Sequence, residues 1–299
     1  MEYICNDCPR QCGVVRAEVR QEGQVLPGFC HSPLQPVVAR AALHEWEEPC
    51  ISGSRGSGAV FFTGCNLRCC FCQNTTISMG GTGVPITAAR LRDIYGELIE
   101  KGAHNINLVT PTPYKKAILE SLAEPLPVPV VYNCGGYETT ATIDAFKGKV
   151  QIYLPDLKYL DPALAKRYSA AEDYPQVAAE AILHMYDQVG PYELDDDGLL
   201  KKGVVIRHLI LPGCLDNTKA VIDWVRDHFA EGQVLFSLMR QYVPCGRAAD
   251  YPEINRRLTD EEYDEAEQYL FDSGIEDGFV QEKDSASEAF IPAFDGTGV

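Results

Sequence analysis

The sequence predicts an α/β fold built on a parallel sheet, and two observations carry that prediction. Six short apolar runs recur along the chain, at residues 59–63, 106–110, 128–132, 150–154, 204–211 and 234–239, and amphipathic helical periods lie between them. Most of the runs are continuously apolar rather than alternating, the pattern of strands covered on both faces.

The intervening helices are read from their spacing. Leu91, Ile94, Tyr95, Leu98 and Ile99 follow the i, i+3, i+4, i+7, i+8 stripe, opened by a cap at Thr87 and closed by Gly102. Val221, Trp224, Val225, His228 and Phe229 repeat the stripe before the last strand, and residues 175–189 form another long helix. Six strand–helix units in tandem imply right-handed crossovers. Two architectures satisfy the pattern, an open doubly wound sheet and part of a (β/α) barrel, and in both the ligand lies at the carboxyl ends of the strands.

The ends of the chain read differently. Residues 1–50 are rich in Cys, Pro and Arg without clear periodicity, residues 51–245 hold the strand–helix units, and residues 246–299 form a C-terminal extension. In that extension a capping box at Thr259-Asp260-Glu261-Glu262 starts a helix with Tyr263, Ala266 and Leu270 on one face. A tail punctuated by Gly and Pro follows, ending Phe290-Ile291-Pro292-Ala293-Phe294-Asp295-Gly296, and both ends are expected to pack around the central unit.

Composition narrows the function. At 299 residues and 33.0 kDa the chain can bury a substantial core. A formal charge of −17 argues against nucleic acid as a partner, because phosphate binding needs clustered Lys and Arg. The start, Met1-Glu2-Tyr3-Ile4-Cys5-Asn6-Asp7, has neither a basic region nor an apolar core, so no secretory signal is expected. No apolar run approaches the roughly 18 residues that span a bilayer. Twelve cysteines in such a chain suggest reduced thiols and metal ligation in the cytoplasm rather than disulfides.

Seven of those cysteines fall into two sets. Cys65, Cys69 and Cys72 are spaced C-x3-C-x2-C within Phe61-Phe62-Thr63-Gly64-Cys65-Asn66-Leu67-Arg68-Cys69-Cys70-Phe71-Cys72, directly after the first predicted strand. Thiolates select iron–sulfur clusters, zinc or copper(I) over hard cations. A [4Fe–4S] cluster normally takes four cysteines, so a triplet leaves one iron free for an outside ligand. The competing readings are half of a four-ligand zinc site and a chance cluster. Cys70 is off the spacing and is read as a non-ligand.

Cys5, Cys8, Cys12 and Cys30 form the second set, C-x2-C-x3-C-x17-C, a complete four-thiolate ligand set. It suits either a closed structural zinc site or a second [4Fe–4S] cluster, with His31 as an alternative to Cys30. Cys50, Cys214 and Cys245 are isolated and read as small apolar residues.

The triplet resembles the signature of the radical S-adenosylmethionine (SAM) superfamily, and the chain as a whole is similar to its subgroup related to pyruvate formate-lyase activating enzyme. Further matching stretches are Cys8-Pro9-Arg10, Ile51-Ser52-Gly53-Ser54-Arg55-Gly56-Ser57-Gly58, His104-Asn105-Ile106-Asn107-Leu108-Val109-Thr110-Pro111-Thr112, Tyr153-Leu154-Pro155-Asp156-Leu157-Lys158-Tyr159, Arg207-His208-Leu209-Ile210-Leu211-Pro212-Gly213 and Pro252-Glu253-Ile254-Asn255-Arg256-Arg257-Leu258. The resemblance implies a partial (β/α)6 barrel, open at one side to a large substrate. It also implies a [4Fe–4S] cluster on Cys65, Cys69 and Cys72 whose free iron takes the amino and carboxylate groups of SAM.

The resemblance further implies which residues meet SAM. Lys158, paired with Asp156, would hold the SAM carboxylate, and Phe71 would bring its backbone to the adenine. Activating enzymes usually hold the amino group with Gly-Gly-Glu after the second strand, where this chain has Thr110-Pro111-Thr112. Asn133 and Cys134 stand where relatives place an acid and a hydroxyl, and Arg207 and Gln241 are further strand-end candidates; His208 is read as equally suited to a structural role.

The implied activity is reductive cleavage of SAM to a 5′-deoxyadenosyl radical that abstracts hydrogen from a substrate. Electrons would come from a one-electron donor such as flavodoxin or ferredoxin. The implied substrate is a glycine of a partner glycyl radical enzyme; a peptide or small metabolite is the alternative. From another class, the chain would be a metal-stabilised electron-transfer or binding module.

Overall fold

The computed structural model describes residues 2–21, 24–79, 81–281 and 292–299. In chain order its strands are β1 (Ile4–Cys5), β2 (Val14–Val15), β3 (Val37–His44), β4 (Ser57–Phe62), β5 (Val84–Pro85), β6 (Ile106–Val109), β7 (Val130–Cys134), β8 (Ile152–Pro155), β9 (Glu193–Leu194), β10 (Leu200–Leu209), β11 (Leu235–Met239) and β12 (Gly278–Val280). The helices are α1 (Pro49–Ser52), α2 (Thr75–Ser78), α3 (Ala88–Glu100), α4 (Lys115–Ser121), α5 (Thr140–Ala145), α6 (Pro162–Ser169), α7 (Tyr174–Val189), α8 (Leu215–His228) and α9 (Asp260–Ser273). None among the described residues is long and apolar enough to cross a membrane.

One unclosed sheet runs β12-β11-β10-β8-β7-β6-β4-β3-β5, with β9 paired to β10. Its six central strands, β4, β6, β7, β8, β10 and β11, pair in parallel and coincide with the six apolar runs. β12 extends the sheet in parallel at one edge, and β3 pairs antiparallel with β4 at the other. Successive strand residues face opposite sides, which divides the core in two. Val60, Leu108, Tyr132, Tyr153, Ile206 and Phe236 pack under the helices, while Val131, Ile152, Leu154, Val205 and Leu235 meet Cys50 and Ile51 on the inner face.

The local chemistry of the helices follows the sequence. Thr87 Oγ1 accepts from Arg90 N and starts α3, whose Leu91, Ile94, Tyr95 and Leu98 are buried. At α9 both bonds of the capping box form between Thr259 and Glu262. β7 begins at Val130, later than the predicted 128, because Pro129 lacks the N–H a ladder needs.

Two features near the ends were not predicted. β3 lies in the stretch read as aperiodic, and the connection from β3 through α1 carries Glu47 and Glu48 beneath the inner face of the sheet. The C-terminal tail also joins β3: Ala41 N donates to Thr297 O at 2.8 Å and Gly296 N to Ala39 O at 2.9 Å, while the Phe294 ring stacks edge-on against Phe61. Phe290 and Ile291 of the predicted tail lie outside the described residues.

Candidate active site

The loop after β4 is bent by two left-handed residues, Gly64 (φ +92°) and Arg68 (φ +56°). At Gly64 a Cβ would stand 2.9 Å from Cys30 O and collide with Ser32 Oγ, so the loop passes against the N-terminal segment at a distance only glycine permits. Within the loop Cys65 Sγ accepts from Leu67 N at 3.4 Å and Cys69 Sγ from Ser169 Oγ at 3.0 Å. Cys65, Cys69 and Cys72 all line one pocket at the carboxyl ends of the central strands. Cys70 is absent from that lining and buried in the helix-side core, its N–H donating to Tyr168 O at 2.8 Å.

Burial pushes the Cys65 thiol up to about 11 and the Cys72 thiol up to about 12. Such thiols become thiolates when a metal supplies the compensating charge. Among the described residues no three His, Cys, Asp or Glu side chains close around a single-ion position. Three cysteines on one pocket, with donors aimed at the sulfurs of Cys65 and Cys69, make a soft donor set with a position left open for an outside ligand.

Opposite the cysteines stands a buried polar network on the inner ends of β7, β8 and β10. Lys158 Nζ lies 2.5 Å from Asp156 Oδ2, and Arg207 Nε donates to Asp156 Oδ1 at 2.9 Å. Arg207 Nη2 donates to Asn133 Oδ1 at 2.7 Å and Nη1 to Glu47 Oε2 at 2.9 Å. Glu47 Oε1 in turn accepts from Asn107 and Asn133, each at 3.1 Å. Burial raises the Asp156 carboxyl, but Arg207 and Lys158 outweigh it and hold it below the usual carboxylate range. Burial likewise lowers Lys158, and Asp156 more than restores it, so the ammonium is firmly charged.

Phe71, Thr110, Asn133, Cys134, Asp156, Lys158, Arg207 and Gln241 therefore line the same pocket as the cysteine triplet. Thr112 does not, which corrects the expectation for that residue. Thr110 takes a left-handed φ of +60°, turning the chain so that Thr112 is buried and its Oγ1 donates to Glu138 Oε1 at 2.5 Å. His208 is structural: its ring is buried between Leu157 O (2.7 Å) and Thr218 Oγ1 (3.0 Å), and burial lowers its pKa to about 4.

Sequence reading missed Glu47, His44 and Trp46, which also line the pocket, Trp46 with 60% of its surface exposed. The signal available was the carboxylate run Glu45-Trp46-Glu47-Glu48 next to an apolar segment.

Cys5, Cys8, Cys12 and Cys30 line a second, smaller cavity with Arg10, Arg16 and Asn66. The short β1–β2 ladder places Cys5 opposite Val14, and Gln11 N closes a turn onto Cys8 O. His31 is outside this lining; its Nδ1 meets Leu26 O at 2.7 Å. Cys50 and Cys214 are buried in the apolar cores.

No family model matches the chain. Among solved structures, SuiB of Streptococcus suis bound to S-adenosylmethionine aligns over 73% of this chain and 48% of its own, with TM-score 0.52 and 13% identity. SuiB bound to the precursor peptide SuiA aligns over 73% and 46%, with TM-score 0.50 and 12% identity. The chain spans about half the length of SuiB, and the likeness is one of fold. The uncharacterized protein MJ0674 of Methanocaldococcus jannaschii is 30% identical over 273 residues, 88% of this chain and 72% of that protein. The chain belongs to the family of MJ0674.

Proposed function

We propose that this chain is a radical SAM enzyme that carries a [4Fe–4S] cluster on Cys65, Cys69 and Cys72. One observation carries the reading: three cysteines with that spacing share a strand-end pocket with a buried Asp156–Lys158–Arg207 network. The fold shared with SuiB, a protein solved with S-adenosylmethionine bound, supports it.

When bound, the cluster and SAM would supply reductive cleavage of a SAM carbon–sulfur bond and, through it, hydrogen abstraction from the substrate. The protein's part is placement and exclusion. Lys158, held by Asp156, offers a charged donor to a carboxylate. Arg207 and Asn133 keep that pair aligned. Phe71, wedged between Tyr168 and Tyr242, presents a fixed loop backbone beside the cysteines. Thr110 and Gln241 flank the same space. No side-chain base is required for hydrogen abstraction, in keeping with a pocket whose charged groups pair with one another.

For the substrate, the reading drawn from the activating-enzyme resemblance is a glycine in a partner protein, with flavodoxin or ferredoxin as electron donor in the cytoplasm. The exposed Trp46 ring lines the pocket, which suits contact with a chain segment brought in by a partner. A peptide substrate is the second reading, favoured by the fold shared with a SuiB structure that holds a precursor peptide.

The test is anaerobic incubation of the reduced protein with SAM. 5′-Deoxyadenosine is expected, and Cys69→Ala should abolish it. Full retention in Cys69→Ala, or iron-free protein that binds zinc alone after reconstitution, would leave the metal-stabilised binding module as the better account.

A further inference from the structure

We propose that Cys5, Cys8, Cys12 and Cys30 bind one zinc ion in a closed four-thiolate site that clips the N-terminal segment to the loop bearing Cys65, Cys69 and Cys72.

The segment has almost no core of its own. Among its described residues as far as Gln35, regular structure is limited to the two-residue strands β1 and β2. Apart from cysteine and proline, Leu26 is the one buried apolar side chain there, while Ile4, Val15, Val19 and Val25 are exposed. So small a unit is ordinarily held by disulfides or by a metal, and its cysteines form no disulfide.

The backbone gathers the four thiols. The β1–β2 hairpin carries Cys5, Cys8 and Cys12 and is closed by Gly13 N on Cys5 O and Gln11 N on Cys8 O, each at 3.0 Å. Cys30 sits in a second turn, closed by His31 N on Gly28 O at 3.4 Å. Gly28 takes φ +89°, and a Cβ there would press on Val14 Cγ2 at 3.2 Å, so glycine lets this turn lie against the hairpin. All four cysteines line one cavity.

Charge calls for a metal. Arg16 is only 8% exposed, with Nη2 3.3 Å from Cys30 Sγ and Nη1 on Pro113 O. Arg10 donates to three carbonyls, those of Asn66 at 2.9 Å, Ala170 at 2.5 Å and Ser169 at 3.0 Å. Among the described residues neither arginine has a carboxylate at ion-pair distance. Buried charges are ordinarily paired. Zinc with four thiolates carries two negative charges, which match the two guanidiniums; four neutral thiols carry none.

Size selects a single ion. The cavity measures about 10 Å³, room for about one water molecule. A core of four irons and four sulfides does not fit it. The thiols ring this space without closing on a point, and a divalent ion is what draws thiolates inward, to about 2.3 Å from zinc. Two N–H donors already face the sulfurs, Phe29 N on Cys12 Sγ at 3.4 Å and Arg16 on Cys30, and such donors orient metal ligands. Four thiolates complete the coordination of zinc and leave no position for a substrate, so the site is structural.

Its reach extends to the other cysteine set. Arg10 binds the carbonyl of Asn66, next to Cys65, and that of Ser169, whose hydroxyl donates to Cys69. Phe29, next to Cys30, packs under the guanidiniums of Arg10 and Arg68, and Arg68 Nη1 donates to Phe29 O at 3.1 Å. An ion that fixes Cys12 and Cys30 thereby fixes one side of the Cys65–Cys72 loop.

The experiment is zinc and iron analysis of full-length protein purified anaerobically from medium that supplies both metals. The Cys65/Cys69/Cys72→Ala triple variant is expected to hold about one zinc and no iron, and adding Cys8→Ala and Cys12→Ala should remove the zinc. X-ray absorption at the zinc edge of the triple variant should show four sulfurs at about 2.3 Å. A triple variant that holds iron or no metal overturns the proposal, as does a zinc with fewer than four sulfur neighbours or one retained after the two added substitutions. The proposed function fails separately: wild type with one zinc and no iron, even after reconstitution with iron and sulfide, would leave this site standing and remove the cluster.

Discussion

Glu47 Oε2 accepts a hydrogen bond from Arg207 Nη1 at 2.9 Å, tying the connection after β3 to the end of β10. Both side chains are almost fully buried, at 10% and 12% exposure, and Arg207 also neutralises Asp156. Arg207→Met would leave two buried carboxylates with Lys158 as the remaining cation of the network. Losing one partner of a buried ion pair costs about 3–5 kcal/mol. Urea denaturation of Arg207→Met should show a loss of that size. Glu47→Gln keeps an acceptor for Arg207 and should lose less, about 1–2 kcal/mol.

Lys158 can be tested apart from the cluster. Its ammonium is 16% exposed and paired to Asp156, so Lys158→Met removes a charge from the pocket without touching a cysteine. A charge-assisted hydrogen bond contributes about 1.5–3 kcal/mol, so SAM should bind roughly 10- to 100-fold more weakly. Equilibrium dialysis measures this, and iron per chain should remain at the wild-type level. Unchanged SAM affinity would remove Lys158 from the site.

How much of this was legible in the sequence differs by region. The strand-end positions of Asp156 and Lys158, the triplet and the α9 capping box could be read because each depends on residues near one another in the chain. β3 could not: its run Val37-Val38-Ala39-Arg40-Ala41-Ala42-Leu43-His44 is rich in alanine, which has weak strand propensity, and its pairing partner lies in β4 across a long connection. Glu47 went unseen for the same reason, since its partners Asn107, Asn133 and Arg207 come from three distant strands. Thr112 was misplaced because a backbone turn decides its direction. β-Branched residues rarely adopt a positive φ, so nothing in Thr110-Pro111-Thr112 announced that turn.

That turn makes a prediction of its own. Thr110 holds φ +60°, a conformation that costs a β-branched residue roughly 1–3 kcal/mol. Glycine adopts it freely but loses about 0.5–1 kcal/mol more chain entropy on folding. Thr110→Gly should therefore be neutral to stabilising, by up to about 2.5 kcal/mol. Chemical denaturation measures the sign, and a clear loss of stability would mean the Thr110 side chain contributes contacts that outweigh its backbone strain.

Glu138 predicts how stability depends on pH. Its carboxyl is buried and accepts from Thr112 Oγ1 at 2.5 Å and Tyr132 OH at 3.2 Å, and burial raises its pKa to about 8 despite those bonds. In the unfolded chain a glutamate titrates near about 4.3. Below that value both states carry the proton and the native state has its full advantage. As pH rises toward 8 the unfolded state releases the proton while the native state keeps it, so stability falls, by at most about 1.4 kcal/mol per pH unit, and levels off above the native pKa. Glu138→Gln has no proton to release; its amide oxygen keeps one of the two hydroxyl bonds, and its NH2 faces the other hydroxyl oxygen. The difference in unfolding free energy between Glu138→Gln and wild type, measured in urea at several pH values, should shift in favour of the variant from pH 5 to 8. A difference that stays flat across that window would mean Glu138 is ionised in the native protein, with a counter-charge reaching it inside the fold.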